Sequence, residues 1–162
     1  SSGILFNHES PRRGATFVTQ KIVQGLHAIA QGKMPVLQLG NLNALRDWGH
    51  ARDFVEAMWL MLQQPHPDDY VIATGQQYSV RQFVETAAPY FGMDIVWQGQ
   101  GLDEVGIDNM SGKTIVKVKE QYFRLAEVES LLGNANKAHK VLGWKPKTSF
   151  DILIQEMCNS VR

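Results

Sequence analysis

Short apolar runs alternate along this chain with longer segments whose apolar residues recur at helical spacing, and glycine or proline stands at most of the junctions. That alternation constrains the fold most, because strands and helices in this order must cover one another in an α/β or α+β architecture. The first strand is Gly3 to Asn7, expected to be buried. Thr16 to Gln31 reads as a helix with Val18, Ile22, Leu26, Ile29 and Ala30 on one face and Gly32 as its stop. Val36 to Leu39 is a second strand, followed by the loop "GNLNALRDWGH". A helix over Ala51 to Gln64 carries Phe54, Met58, Met61 and Leu62 on one stripe and ends at "QQPHP", where proline cannot continue the turn. Tyr70 to Thr74 is a strand, and Ser79 to Phe91 is a helix opened by a capping box of Ser79 and Gln82. Ile95 to Trp97 and Thr114 to Val118 are further strands, with residues 98–113 between them expected as loop. A short helix in "NANKAHKVLGWKP" stops at Gly143, and Ser149 caps a last helix through Met157. There is no internal repeat.

The 162 residues are 44% apolar, enough for a sizeable core, and 16 basic residues balance 16 acidic ones. A neutral chain gives no electrostatic reason to expect nucleic acid or an anionic membrane as partner. Cys158 is the only cysteine, so no intrachain disulfide forms, which fits a cytoplasmic location. No apolar run approaches the roughly 20 residues of a membrane span, and no signal-peptide pattern opens the chain.

Several chemistries lack their motifs. Gly99, Gly101 and Gly106 have the wrong spacing for a dinucleotide loop, and Asp103 and Glu104 would oppose a pyrophosphate there. The five histidines are scattered, so no metal site is expected. There is no Gly-x-Ser-x-Gly elbow, and no tyrosine has a lysine four residues later. What remains is a set of cations at loops and on one helix: Arg12, Arg13, Lys21, Arg46 and Arg124. Arginine forks suit phosphate oxygens, but each arginine taken singly is also explained as solvated or ion-paired. Arg46 beside Asp47 reads equally as a local pair, worth under ~1 kcal/mol if exposed.

The order of the motifs adds to this. "GILFNHESPRRGATFVTQKI", "LGNLNALRDWGHARDFVEAMWLMLQQ", "DYVIATGQQYSVRQFVE" and "YFRLAEVESLLGNANKAHKVLGWKP" resemble the C-terminal part of the GDP-mannose 4,6-dehydratase family, within the extended short-chain dehydrogenase/reductase group. The resemblance implies that residues 1–162 form a single substrate-binding domain. Its Gly3–Asn7 and Tyr70–Thr74 strands would belong to a Rossmann sheet whose N-terminal, NADP-binding half is absent. It implies a lyase acting on GDP-mannose with tightly held NADP, in a homo-oligomer. The family's catalytic residues lie in the other half, so no catalytic residue is assigned here and this chain alone is expected to be inactive. By resemblance, Asn7, Val18, Lys21, Arg46, Arg124 and Glu127 bind substrate, and His8 and Arg13 approach NADP. The pattern departs at Leu125, where proline is expected.

Two alternatives stay open: another nucleotide-sugar dehydratase or epimerase, or a non-catalytic interaction module derived from such an enzyme. Apolar strands without their sheet neighbours are association-prone. The isolated chain is therefore expected to self-associate, and a clean monomer by light scattering at roughly tens of micromolar contradicts this.

Overall fold

The computed structural model describes residues 1–122 and 128–161. In chain order the elements are β1 (Ser2–Leu5), β2 (Asn7–Glu9), α1 (Val18–Ala30), β3 (Leu37–Leu39), β4 (Leu45–Arg46), β5 (Trp48–His50), α2 (Ala51–Leu62), β6 (Asp69–Ile72), β7 (Tyr78–Ser79) and α3 (Val80–Ala87). There follow β8 (Ile95–Gln98), β9 (Val105–Asp108), β10 (Thr114–Val118), β11 (Ser130–Leu131), α4 (Asn136–Leu142) and α5 (Phe150–Asn159).

The helices sit where the periodicity puts them; α1 and α2 are a residue or two shorter at their ends, and α5 runs two residues further, to Asn159. Ser79 and Gln82 make the expected capping box on α3, whose last turn tightens to a 3₁₀ turn, Ala88–Phe91, at Pro89. Ser149 accepts from Ile152 N at the start of α5, and Gly143 leaves α4 with a positive φ of 65°.

The first strand changes partners at Phe6. β1 runs parallel to β6, with Gly3 opposite Tyr70, and β2 runs parallel to β5, with Asn7 opposite Trp48 and Glu9 opposite His50. A second sheet has the order β3-β10-β9-β8, parallel at β3–β10 and antiparallel elsewhere. A small third sheet joins β11, β4 and β7. The larger core lies between this second sheet and α1, α3 and α5, and includes Ile22, Leu26, Phe83, Val116, Ile154 and Met157. The smaller core gathers Phe54, Tyr70, Ile72 and Trp144 from α2, β6 and the end of α4.

Four expectations are corrected. β1 is not buried: Ile4 is 58% exposed, because among the described residues β1 and β6 make a sheet of only two strands. The "GNLNALRDWGH" segment is not simply loop, since it contains β4 and β5, which are too short to show any period and depend on distant partners for their pairing. Residues 98–113 contain β9, and the segment is tied down by the Arg81–Glu104 ion pair and by Asp108, which accepts from Asp94 N and from the Ser111 hydroxyl. Gly106 there is a packing glycine, since a Cβ would come within 2.9 Å of the Trp97 ring. On α2 the buried stripe is Phe54, Ala57 and Met61, whereas Met58, Trp59 and Leu62 turn outward and Leu62 is 75% exposed.

The two cores meet at Asp47, which is fully buried. Its Oδ1 accepts from Thr74 N at 2.9 Å and from Thr74 Oγ1 at 2.6 Å, and its Oδ2 accepts from Gly75 N at 2.9 Å and Gly133 N at 3.3 Å. It is therefore no local partner of Arg46. Gly133 can approach only because it lacks a side chain; a Cβ would sit 2.1 Å from that of Ala73. Asp47→Ala would strand these donors in the interior. The expected loss is about 3 kcal/mol or more of unfolding free energy, read from urea melts, and a change under about 1 kcal/mol contradicts this.

Candidate functional site

β2 and the turn after it build one wall of a cleft. Side chains alternate along a strand, so Asn7 and Glu9 share the cleft face while His8 takes the other. The chain then reverses: Arg13 N donates to Ser10 O at 2.9 Å, with Pro11 second in the turn, a position its fixed φ suits. This folds Arg13 back on Glu9, with Nε 3.2 Å from Oε2. The Arg13 guanidinium lies over the Phe17 ring, 3.6 Å from its centroid.

α1 supplies the second wall. Phe17 occupies its N-cap without a side-chain hydrogen bond, and no acidic residue stands in its first turn. Its positive N-terminal end therefore meets the cleft, at Thr16 to Thr19, without a capping carboxylate. One turn further on, Lys21 places Nζ 3.6 Å from the centre of the Tyr122 ring.

The remaining wall comes from the end of β3, from β4 and β5, and from Tyr122. Gly40 lets the segment carrying Tyr122 lie directly on β3, since a Cβ would come 2.3 Å from Tyr122 O. Lys119 N donates to Leu39 O at 2.8 Å and holds it there. Arg46 on β4 is braced by its Nη1, which donates to Leu45 O at 2.8 Å and Val128 O at 2.7 Å. The cleft has a volume of about 470 Å³.

Of the residues assigned by resemblance, Asn7, Arg13, Val18, Lys21 and Arg46 all line this cleft. His8 does not: it stacks on Phe54 with ring centroids 5.1 Å apart, and its Nδ1 meets Phe6 O at 2.8 Å. Arg124 and Glu127 lie outside the described residues. Sequence reasoning missed Glu9, Phe17, Thr19 and Tyr122. Glu9 had a readable signal, being two residues from Asn7 on a strand and four before Arg13. Tyr122 had none, because only the fold brings it to Lys21.

Glu9 is 1% exposed. Burial pushes its carboxyl above the ordinary value of 4.5, although the Thr19 hydroxyl and the charges of Arg13 and His8 pull the other way. Among the described residues no group of three or more His, Cys, Asp or Glu is placed to hold a metal ion. No helix there is long and apolar enough to cross a membrane.

Solved structures place this architecture in a class. The chain superposes on RMD from Pseudomonas aeruginosa, solved with NADPH, with a TM-score of 0.77 at 19% identity, covering 98% of this chain and 46% of that one. It superposes on dTDP-glucose 4,6-dehydratase from Bacillus anthracis, solved with NAD, with a TM-score of 0.72 at 17% identity, covering 98% of this chain and 43% of that one. These likenesses show the fold, that of the extended short-chain dehydrogenase/reductase dehydratases and epimerases. Residues 1–157 match the model of the GDP-mannose 4,6 dehydratase family, and the chain belongs to that family. It is 57% identical to the GDP-mannose 4,6 dehydratase of Dictyostelium discoideum over 96% of this chain and 44% of that protein. To the human enzyme of that name it is 52% identical over 98% of this chain and 43% of that one. The chain thus spans less than half the length of these curated relatives.

A buried acid with a raised pKa has a defined pH signature. The folded chain keeps the Glu9 proton to higher pH than the unfolded chain, so stability falls as pH rises from 4.5 through the folded value. In Glu9→Gln that part of the fall is expected to vanish. Thermal melts of both proteins across this window check it, and parallel curves contradict it.

Proposed function

We propose that this chain is the nucleotide-sugar-binding part of a GDP-mannose 4,6-dehydratase, which converts GDP-mannose to GDP-4-keto-6-deoxymannose and water. The observation that carries the reading is the convergence of Lys21, Arg46 and the uncapped start of α1 on one cleft, in a chain of that family. A diphosphate needs donors that stay charged at physiological pH, and these supply them. Asn7 adds a neutral hydrogen-bonding group on the same face, and Val18 adds apolar surface. By resemblance, Arg124 and Glu127 complete the substrate contacts.

The cofactor in this reading is NADP, which when bound takes the hydride from the sugar C4 and returns it to C6 after water is lost across C5 and C6. Of the two residues assigned to it, Arg13 lines the cleft with an arginine fork suited to a phosphate group. His8 stands on the other face of the same strand, against Phe54 and the Phe6 carbonyl, and by resemblance approaches NADP from there. The work of this chain is to bind and orient the diphosphate. Cytoplasmic location and assembly as a homo-oligomer belong to the same reading.

Calorimetric titration with GDP, with UDP as control, tests it. Selective GDP binding is expected, and the double variant Arg46→Ala/Arg124→Ala is expected to lose roughly ten- to a hundredfold in affinity. Unchanged binding in the double variant removes the arginines from the reading. Equal binding of UDP moves the assignment to another nucleotide-sugar enzyme.

A further inference from the structure

An acid in a cleft that gathers cations is a contradiction to resolve. By charge alone Glu9 weakens the attraction of the cleft for any anion. It is nevertheless among the most buried residues of the wall, and it costs stability to bury. Its two contacts are specific. Oε2 accepts from Thr19 Oγ1 at 2.5 Å and lies 3.2 Å from Arg13 Nε.

Among the described residues Arg13 is held on two sides. Glu9 Oε2 lies 3.2 Å from its Nε, an ion-pair contact rather than a hydrogen bond at this buried atom, and the Phe17 ring covers one face of the guanidinium. Its terminal nitrogens Nη1 and Nη2 make no hydrogen bond with any described residue. A long side chain with this much rotamer freedom loses affinity when it must be ordered at the moment of binding. Here the ordering is done in advance, by a carboxylate whose own rotamer is locked by Thr19 from the first turn of α1.

We propose that Glu9 is a positioning residue for anion binding: with Phe17 it fixes the Arg13 guanidinium so that both terminal nitrogens are left to a phosphate group in the cleft, and Thr19 fixes Glu9. This rests on the proposed reading of the cleft as a phosphate site, and it assigns a role to three residues that the resemblance leaves without one. The same acid that lowers the net charge of the cleft thereby raises its affinity.

The sign of one measurement separates orientation from charge. The 162-residue chain and its variants are titrated with GDP and with NADPH by calorimetry, and Arg13→Ala shows which probe reports on Arg13. Glu9→Gln removes a negative charge, yet it is expected to weaken that probe by about five- to tenfold, with a smaller loss in Thr19→Val. In the Arg13→Ala background Glu9→Gln is expected to change nothing further. Thr19→Val leaves the carboxylate in place and carries the test if Glu9→Gln does not fold. Unchanged or tighter binding in Glu9→Gln overturns the proposal, as does an equal loss with and without Arg13, which would mark Glu9 as merely structural. If Arg13→Ala alters neither probe, Arg13 holds no anion and the proposal falls while GDP binding through the other cations stands. If the parent chain binds neither probe, the reading of the cleft and this inference fall together.

Discussion

The arrangement depends on one buried carboxylate. Asp47 gathers the end of β6 and the backbone beyond β11 onto the junction of β4 and β5, through donors at Thr74, Gly75 and Gly133. These groups lie far apart in the chain, and no regular ladder joins them. A carboxylate is the one side chain that can accept from so many donors at once, with lone pairs on two oxygens. Its neighbours in sequence inherit the consequence. Arg46 is set on one side, braced by the Val128 carbonyl, and Trp48 on the other is buried against Phe83 and Phe150. Both residues line the cleft, so the hub that joins the two cores also sets one of its walls.

Cations in a cleft repel one another, and a fold must compensate. Here each is paired with something other than solvent. Arg13 has Glu9 and a ring, Lys21 has a ring, and Arg46 has backbone carbonyls. The two rings and the backbone carbonyls attract a cation without neutralising it, while Glu9 offsets part of the charge of Arg13.

Much of the candidate cleft was legible in the sequence, because its assigned residues fall in two compact motifs. Asn7, Arg13, Val18 and Lys21 come from one strand–turn–helix unit, whose periods of 2 and 3.6 put them on a common side. His8 shows the same rule at work, since the position between Asn7 and Glu9 faces the other side of β2, against Phe54. Local rules failed at Asp47, which sequence proximity paired with Arg46. Burial decided otherwise, because an interior carboxylate goes where unsatisfied backbone donors are. They failed again at residues 98–113, where glycine suggested looseness. Gly106 is there because Trp97 packs against its backbone, a contact that exists only once β8 and β9 pair.

The sequence by itself determined the α/β class, the helices, the Ser79 and Ser149 caps, most strands and the family. These rest on periodicity and capping chemistry within a few residues, or on motifs whose order survives at 52–57% identity. The tertiary structure decided which short segments pair, which carboxylates are buried and toward what, and which aromatic rings cover Arg13 and Lys21. Those outcomes depend on groups far apart in the chain, as Asp47 and Gly133, separated by 86 residues, are. Contact at that range is set by the packing of the whole, which no local pattern encodes.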